Sequence, residues 1–300
     1  MNFLDQGREF ETEKLLGKYT SGVTAAGRGR WSCVLQNGKP RSVTARVEGG
    51  FLMLDAAAGF CGAASNLPEL AEWNADFQGA CKFALVPSPW RVRLRAEIAL
   101  PEEVDLASRL RENLEGFETG FRRIHEGLSG EAARAMSAAC TAKAGPAATG
   151  SLLSLLGETQ WPFKERLPGV VAVDLESRTG FHQAVLEERG GGIGTSVELA
   201  RICLAGEASR QALAVLMLTL NGAVRLVRGI LAQSSGQLTC GLEAGFGTTP
   251  NAAEIDHALA ALSVACRICG RGVNALLDEA VARQYLAVRN IPSTIGEQEN

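Results

Sequence analysis

Residues 90–128, WRVRLRAEIALPEEVDLASRLRENLEGFETGFRRIHEGL, contain an alternating segment, a break at Pro101 and a long helical pattern. The alternating segment places charged residues opposite Val92, Leu94, Ala96, Ile98 and Leu100. Period-two alternation is typical of a strand with one buried face. After Pro101, apolar residues recur every three or four positions, which predicts an amphipathic helix. These positions are Leu106, Leu110, Leu114, Phe117, Phe121, Ile124 and Leu128.

The same pattern recurs about 150 residues later, which indicates an internal duplication of a unit of roughly 130 residues. Residues 238–246 repeat the strand, and Glu243 stands where Glu97 stands. A second helix follows Pro250 and the cap candidate Asn251. Its apolar positions are Ala258, Leu262, Cys266, Cys269, Val273, Leu276 and Ala280, with Gly272 where Gly120 fell. The alternative is that any two strand–helix pairs in an α/β protein look alike.

The predicted fold class is α+β, with two tandem α-β-β-β-α-β-β-α units that each contain an antiparallel sheet. We place the first unit at residues 1–128, a bridge rich in small residues at 129–150, the second unit at 151–291 and a polar, frayed tail at 292–300. The predicted strands are 31–35, 42–47, 51–55, 81–86, 90–100, 170–175, 181–187, 195–199, 223–232 and 238–246. The predicted helices are 3–19, a short helix that begins at Ser65 or Asn66, 105–128, 207–221 and the repeated closing helix.

The helix at 207–221 is apolar almost all round, so it must be covered on two sides. Its natural second neighbour is the other unit, and the helix around Trp73 is its symmetric counterpart. We therefore predict that the two units pack as an intramolecular pseudo-dimer, which makes the chain a monomer with pseudo-two-fold symmetry.

The composition is that of a globular chain of two ordinary domains, with 300 residues, 46% apolar and 21% charged residues. A net charge of −3 gives no overall attraction to nucleic acid or anionic lipid. The eight cysteines are scattered, several at apolar positions, which favours a reducing cytoplasm over a secreted disulfide framework. The N-terminus does not look like a signal peptide, and the apolar runs are too short to cross a bilayer, so we expect a cytoplasmic protein.

Catalytic and metal-binding motifs are weak in this sequence. Cys266 and Cys269 form a C-x-x-C, but both lie on an apolar helical stripe, which favours core thiols over a redox pair or a metal site. The glycine-rich run at 190–196 lacks the lysine and the following helix of a phosphate loop, so it predicts a hairpin turn. His125, His182 and His257 have no triad-like spacing. We predict no catalytic residue, no metal and no cofactor.

The order of elements resembles that of the type III secretion chaperones, the Tir-chaperone-like fold, and a sensory-regulator family of similar topology matches nearly as well. The resemblance rests on the hairpin at 31–47, the strand at 90–100 that ends in Leu-Pro-Glu-Glu, and the helix at 105–128. It implies a bacterial, cytoplasmic protein without ATPase activity that holds an extended segment of a secreted or regulatory partner protein. Members are usually homodimers, so this fused chain would supply both subunits at once.

Arg91, Arg93 and Arg95 are the candidate partner-binding residues, because they form a ladder on the polar side of the alternating strand. The second unit has Gln237, Thr239 and Gly241 there, so the fold does not require the ladder. Lys82, Arg41 and Arg46 would broaden the patch if they share its face. The alternative is a solvated sheet face without a partner. Two other functions remain open: an enzyme or small-ligand binder that uses a cleft between the units, and a structural part of a larger assembly.

Overall fold

The protein has an α+β fold with two six-stranded antiparallel sheets, as the sequence predicts. The computed structural model describes residues 3–35, 40–60, 62–77, 79–87, 89–126, 150–177, 180–189, 192–203, 206–234 and 236–295. Most of the predicted bridge, residues 129–149, lies outside this range. In the following, unit one denotes the elements up to residue 126 and unit two those from residue 150 onward.

Unit one contains three helices around sheet one. The helices are α1 (Phe3–Tyr19), α2 (Leu67–Trp73) and α3 (Leu106–Glu126). The strands are β1 (Ser21–Gly27), β2 (Arg30–Leu35), β3 (Arg41–Glu48), β4 (Phe51–Ala57), β6 (Lys82–Val86) and β7 (Arg91–Ala99), with a short β5 (Gly62–Ala63) outside the sheet.

Unit two repeats this plan around sheet two. Its helices are α4 (Gly150–Gly157), α5 (Glu207–Ala223), α6 (Ala252–Ala275) and α7 (Glu279–Arg289). Its strands are β8 (Phe163–Leu167), β9 (Val170–Ser177), β10 (Gly180–Arg189), β11 (Gly192–Cys203), β12 (Arg228–Ser234) and β13 (Gln237–Phe246), and β14 (Thr294–Ile295) ends the described chain.

The two sheets have the same topology. Sheet one runs β1-β2-β3-β4-β7-β6, and sheet two, in the same direction, runs β8-β9-β10-β11-β13-β12. In both, four consecutive strands are followed by a final hairpin whose second strand lies inside the sheet. Identical strand orders in tandem are what a duplicated unit produces, so the topology agrees with the repeat read from the sequence.

Each six-stranded sheet has one strand more than the sequence predicts. The additional strands are β1 and β8, which form the outer edges of the two sheets. All five residues of β8 are exposed, and β1 is mostly exposed. An edge strand that faces water on both sides does not need apolar alternation, which is why the pattern that revealed the other strands is absent.

The closing helices cover the inner faces of the sheets, and α3 lies against β7 as its apolar stripe predicts. At Gly120 a Cβ atom would lie 2.7 Å from a methyl carbon of Leu94, so the helix approaches the sheet too closely for any side chain there. In unit two, α6 packs on β9, β11 and β13. On α1, Leu16 is fully buried, whereas Phe10 is 73% exposed.

The C-terminal part differs from the prediction in two ways. The apolar stripe that was read as one helix to Ala280 is divided, because Asp278 accepts hydrogen bonds from the backbone N–H groups of Ala280 and Val281 and starts α7. Residues 292–295 of the predicted frayed tail instead return to unit one, where β14 pairs with β5 and Ile295 is 1% exposed, and residues 296–300 lie outside the described residues. Among the described helices, none alone is long and apolar enough to span a membrane, and α6 with α7 meets that size only as a pair bent by 117°.

The units meet through α2 and α5, as predicted. The two helices pack on each other, while α2 also contacts β12 and α5 also contacts β6. At the centre, Asn74 and Asn221 each donate to the carbonyl oxygens of both Phe83 and Gly229. Each asparagine also accepts the N–H group of the edge-strand residue in its own unit, Phe83 or Gly229. This reciprocal arrangement follows the pseudo-two-fold axis, and all four polar side-chain groups are satisfied inside the interface.

Candidate functional site

The outer face of sheet one is the side turned away from α1 and α3. In β7 it carries Arg91, Arg93, Arg95 and Glu97, since Val92, Leu94, Ala96 and Ile98 are buried on the inner side. The register extends the outer face across the neighbouring strands, where Arg95 lies opposite both Asp55 and Lys82. On the next two strands, β3 and β2, Arg46 lies opposite Arg30. The predicted ladder is therefore one side of a wider polar surface.

Two members of the ladder are already engaged within the protein. Asp55 on β4 accepts hydrogen bonds from Arg93 and Arg95, the latter at 3.2 Å. Arg95 also donates to the carbonyl oxygen of Gly222 in unit two at 2.7 Å. Arg91 is half-buried, and its Nε has no hydrogen-bond acceptor within the described part of the chain. One carboxylate thus balances one of the three guanidinium groups.

The three residues that were expected to broaden the patch, Arg41, Arg46 and Lys82, lie in different environments. Arg46 is exposed on the outer face. Arg41 points to the inner side, where its guanidinium lies 5.4 Å from the ring centroid of Phe121. Lys82 is on the outer face but is fully buried, because unit two covers this end of the sheet. Burial lowers the pKa of the Lys82 ammonium, and the adjacent Glu97 carboxylate opposes this effect.

A loop of unit two, residues 224–227, covers the β6 end of the face. Lys82 Nζ donates to the carbonyl oxygens of Val224 at 2.7 Å and Val227 at 2.9 Å, and lies 2.8 Å from Glu97. Next in the loop, the Arg225 guanidinium lies 4.8 Å from the ring centroid of Phe51 on β4. The loop therefore brings a further cation to the surface of unit one, which the sequence pattern of either unit alone does not reveal.

We call this surface the basic face. Its cations are Arg30, Arg46, Lys82, Arg91, Arg93, Arg95 and Arg225, and its carboxylates are Glu48, Asp55 and Glu97. Seven cations and three carboxylates give it a formal charge of +4, on a chain whose formal net charge is −3. A groove of about 260 Å³ runs over β2, β3 and β4, with Arg30, Arg46, Met53, Asp55 and Arg95 among its walls.

Among the described residues, the corresponding face of sheet two carries charges of both signs. On β9, β10 and β11, which match β2, β3 and β4, the outward positions include Asp174, Glu187 and Glu198, and also Arg201, which pairs with Glu198. Most inward positions of these strands are apolar and buried in both units. Since the two sheets share one topology, the fold does not dictate the basic charge of sheet one.

The largest cleft lies where the two units meet, between α2, the first turns of α5, and β12. It has a volume of about 760 Å³. Its walls include Pro68, Glu69, Glu72, Trp73, Asp76, Glu207, Arg210 and Leu231. Arg210 pairs with Glu72, and Asp76 pairs with Arg123 behind the cleft. Partial burial and the neighbouring Glu72 raise the pKa of the Glu69 carboxyl, an effect that Arg210 opposes.

A buried charge cluster joins the ends of the units opposite this cleft. Arg109 on α3 donates to Glu254 on α6 at 2.7 and 3.1 Å and to Glu112 at 3.2 Å. Glu112 also accepts the N–H group of Gly247 at 2.6 Å. Burial raises the pKa of the Glu112 carboxyl, while Gly247 and Arg109 oppose the rise. The space beside the cluster is only about 30 Å³, so its role is to hold the units together.

In the part of the chain that the structure describes, the C-x-x-C pair, the glycine-rich run and the histidines considered from the sequence do not form a catalytic arrangement. Burial raises the pKa of the Cys266 thiol to about 11 and that of Cys269 to about 12, and both lie in the core, as predicted. Residues 192–196 of the glycine-rich run lie in β11, which pairs with β10 as a hairpin, so this part of the predicted turn is strand; residues 190–191 lie outside the described residues. His182 lies on β10 and His257 on α6. Within the described residues, no group of three or more His, Cys, Asp or Glu side chains is placed to bind a metal ion.

Comparisons of the chain with known protein families, with curated proteins and with solved structures found no match.

Proposed function

We propose that this protein is a non-catalytic protein-binding module that holds an extended segment of a partner protein on the basic face. The observation that carries the proposal is an open sheet surface with a groove and a charge of +4, whose counterpart in unit two carries charges of both signs. An extended segment suits such a surface, because its side chains alternate and meet successive strands of the sheet. The resemblance to type III secretion chaperones points to the same kind of activity, with a secreted or regulatory protein as the partner and the cytoplasm as its site of action.

A variant that fills the groove tests this function. Thr44 is exposed in the groove, and Thr44→Trp places a large side chain there at a strand position that tolerates aromatic residues. Gln183→Trp is the matched control, because Gln183 is exposed on β10, the strand of sheet two that corresponds to β3. Proteins captured from a cell extract by the wild type and by Gln183→Trp, but not by Thr44→Trp, support the proposal. An unchanged set of captured proteins refutes it.

The cleft between the units supports a second candidate function, that of a small-ligand binder or an enzyme. A volume of about 760 Å³ is within the range of small-molecule sites, and both units contribute to its walls. A thermal-shift screen against a metabolite library tests this candidate. A compound that raises the unfolding temperature of the wild type, but not that of Glu69→Gln, places a ligand in the cleft. A screen without such a compound leaves the basic face as the binding site.

A further inference from the structure

We infer that the basic face selects an acidic segment, and that Arg30 and Arg46 form the site that holds a carboxylate of the partner. This inference rests on the proposed function and names the chemistry of the segment and two residues outside the predicted ladder. Its starting point is the register of β2 and β3, which sets Arg30 directly opposite Arg46.

Like charges at directly opposed positions destabilise a sheet, because their Cβ atoms lie about 5 Å apart. Both arginine side chains are exposed, and in the described part of the chain the Arg30 guanidinium makes no hydrogen bond or ion pair. Arg46 has only Glu48, at 3.5 Å, and both of these side chains are about half exposed, so the pair contributes little. The protein thus keeps an unfavourable juxtaposition that its own carboxylates do not neutralise.

A carboxylate between the two guanidinium groups removes this repulsion. Arginine presents a planar fork of N–H donors that matches the two oxygen atoms of a carboxylate, and such hydrogen bonds are roughly twice as strong as neutral ones. The groove beside Arg30 and Arg46 leads over Met53 towards Arg95. A second acidic side chain of the same segment therefore meets the excess positive charge at Arg93 and Arg95.

An acidic peptide fits this surface better than a nucleic acid does. Three carboxylates on the basic face, Glu48, Asp55 and Glu97, interrupt its positive charge and oppose the closely spaced phosphates of a continuous polyanion. Single-stranded nucleic acids also need aromatic platforms for their bases, and the ring of Phe51 is covered by Arg225. An extended peptide with carboxylates at intervals avoids both difficulties.

The test uses the full chain and a fluorescein-labelled 12-residue peptide that alternates glutamate with threonine. The reference peptide has glutamine in place of glutamate, and a 12-nucleotide single-stranded DNA is the third probe. We expect fluorescence anisotropy to show binding of the glutamate peptide, and binding about tenfold weaker for the Arg30→Gln/Arg46→Gln variant, since two exposed ion pairs worth a factor of about three each are lost. Arg267→Gln/Arg271→Gln, which removes two exposed arginines of α6, is the control and keeps the wild-type affinity.

Three results overturn the inference: absence of binding to the glutamate peptide, equal affinity for the glutamine peptide, and unchanged affinity in the Arg30→Gln/Arg46→Gln variant. Tighter binding of the DNA than of the glutamate peptide overturns the choice of an acidic peptide as the partner. Any of these results leaves the proposed function standing if Thr44→Trp still abolishes capture of a partner. If Thr44→Trp has no effect on capture, the proposed function itself fails.

Discussion

Lys82 and Arg228 are buried cations at equivalent positions of the two units. Each is the first residue of the last hairpin of its sheet, Lys82 in β6 and Arg228 in β12. Each pairs with a glutamate of its own sheet and donates to a backbone carbonyl of the other unit; for Arg228 these partners are Glu243 and Gly79. A buried cation must be paired and hydrogen-bonded, because desolvation of its charge costs several kcal/mol. These residues therefore make the contact between the units specific as well as close.

Substitution of Lys82 by methionine is predicted to be severely destabilising. It leaves Glu97, which is 4% exposed, without its counter-charge and removes donors from the carbonyl groups of Val224 and Val227. Breaking a buried pair in this way costs about 3–5 kcal/mol. Urea unfolding followed by circular dichroism measures the loss. The double variant Lys82→Met/Glu97→Leu removes both charges and is expected to recover part of it, so a double variant no more stable than the single one contradicts the explanation.

Glu112 gives the protein a pH dependence of known sign. Burial raises its folded-state pKa above the ordinary value of 4.5, while Gly247 N–H and Arg109 act against the rise and Glu254 adds to it. Between 4.5 and the raised value, the folded protein holds a proton that the unfolded chain has already lost. Stability from this residue is therefore present at pH values below about 4.5 and falls as the pH rises through the folded-state pKa.

The Glu112→Gln variant cannot lose this proton, so its stability is expected to fall less steeply over that pH interval. The free energy of unfolding is measured by urea titration at several pH values from 4 to 7 for both proteins. Other carboxyl groups titrate in both, and the difference between the two curves isolates Glu112. Parallel curves would show that Glu112 titrates alike in the folded and unfolded states.

At the scale of elements, α6 begins with a complete capping box. The side chain of Asn251 accepts the N–H group of Glu254 at 2.9 Å, and the Glu254 carboxylate accepts the N–H group of Asn251 at 3.0 Å. Glu254 also binds Arg109 of unit one. The cap thus orients the carboxylate that links the closing helices of the two units.

Loss of this cap is predicted to be measurable but modest. Asn251→Ala removes the acceptor for the Glu254 N–H group and should cost about 1 kcal/mol, whereas Asn251→Gly should cost only a few tenths. The midpoints of chemical unfolding of the two variants provide the comparison. Equal losses for alanine and glycine would point to a packing role for the Asn251 side chain.

The sequence predicted most elements that bury one apolar face. It missed the edge strands β1 and β8, which have no buried residue, and the short helix α4, which buries Leu152 and Leu156. The stripe of α3 and the alternation of β7 were recognised because burial imposes a period on the residues. β1 and β8 have no such period, since edge strands need only backbone pairing. The α6–α7 break was missed because a side-chain cap at Asp278 interrupted an apolar series that continued in phase.

Of the site, the sequence revealed the ladder but not the partners of its residues. The pairing of Arg30 with Arg46 depends on the register of β2 and β3, in which Leu35 pairs with Arg41. A tight turn centred on residues 37–38 would have shifted this register by one residue. The burial of Lys82 and the position of Arg225 depend on how unit two lies on unit one. Periodicity within one unit contains no information about such contacts.

For the whole molecule, the shared interface predicts one cooperative unfolding transition. The buried apolar side chains of both units form one continuous cluster, and the return of β14 to β5 adds a second connection. Of the four tryptophans, Trp161 lies in unit two and Trp73 lines the cleft between the units, so fluorescence of Trp73→Phe/Trp161→Phe reports on unit one through Trp31 and Trp90. Its urea transition should coincide with the circular dichroism transition of the same protein, which reports on both units. Separate midpoints would mean that the units unfold independently.

The reciprocal asparagines have a consequence for how such a protein evolves. In a dimer of identical subunits, one codon specifies both sides of the symmetry axis, so every change is made twice and must suit both copies. When the two copies are parts of one chain, a mutation changes only one of them, as the equivalent residues Lys82 and Arg228 illustrate. One half is then free to acquire a charged surface of its own while the other half preserves the scaffold, and a symmetric ancestor becomes a protein with a single working side.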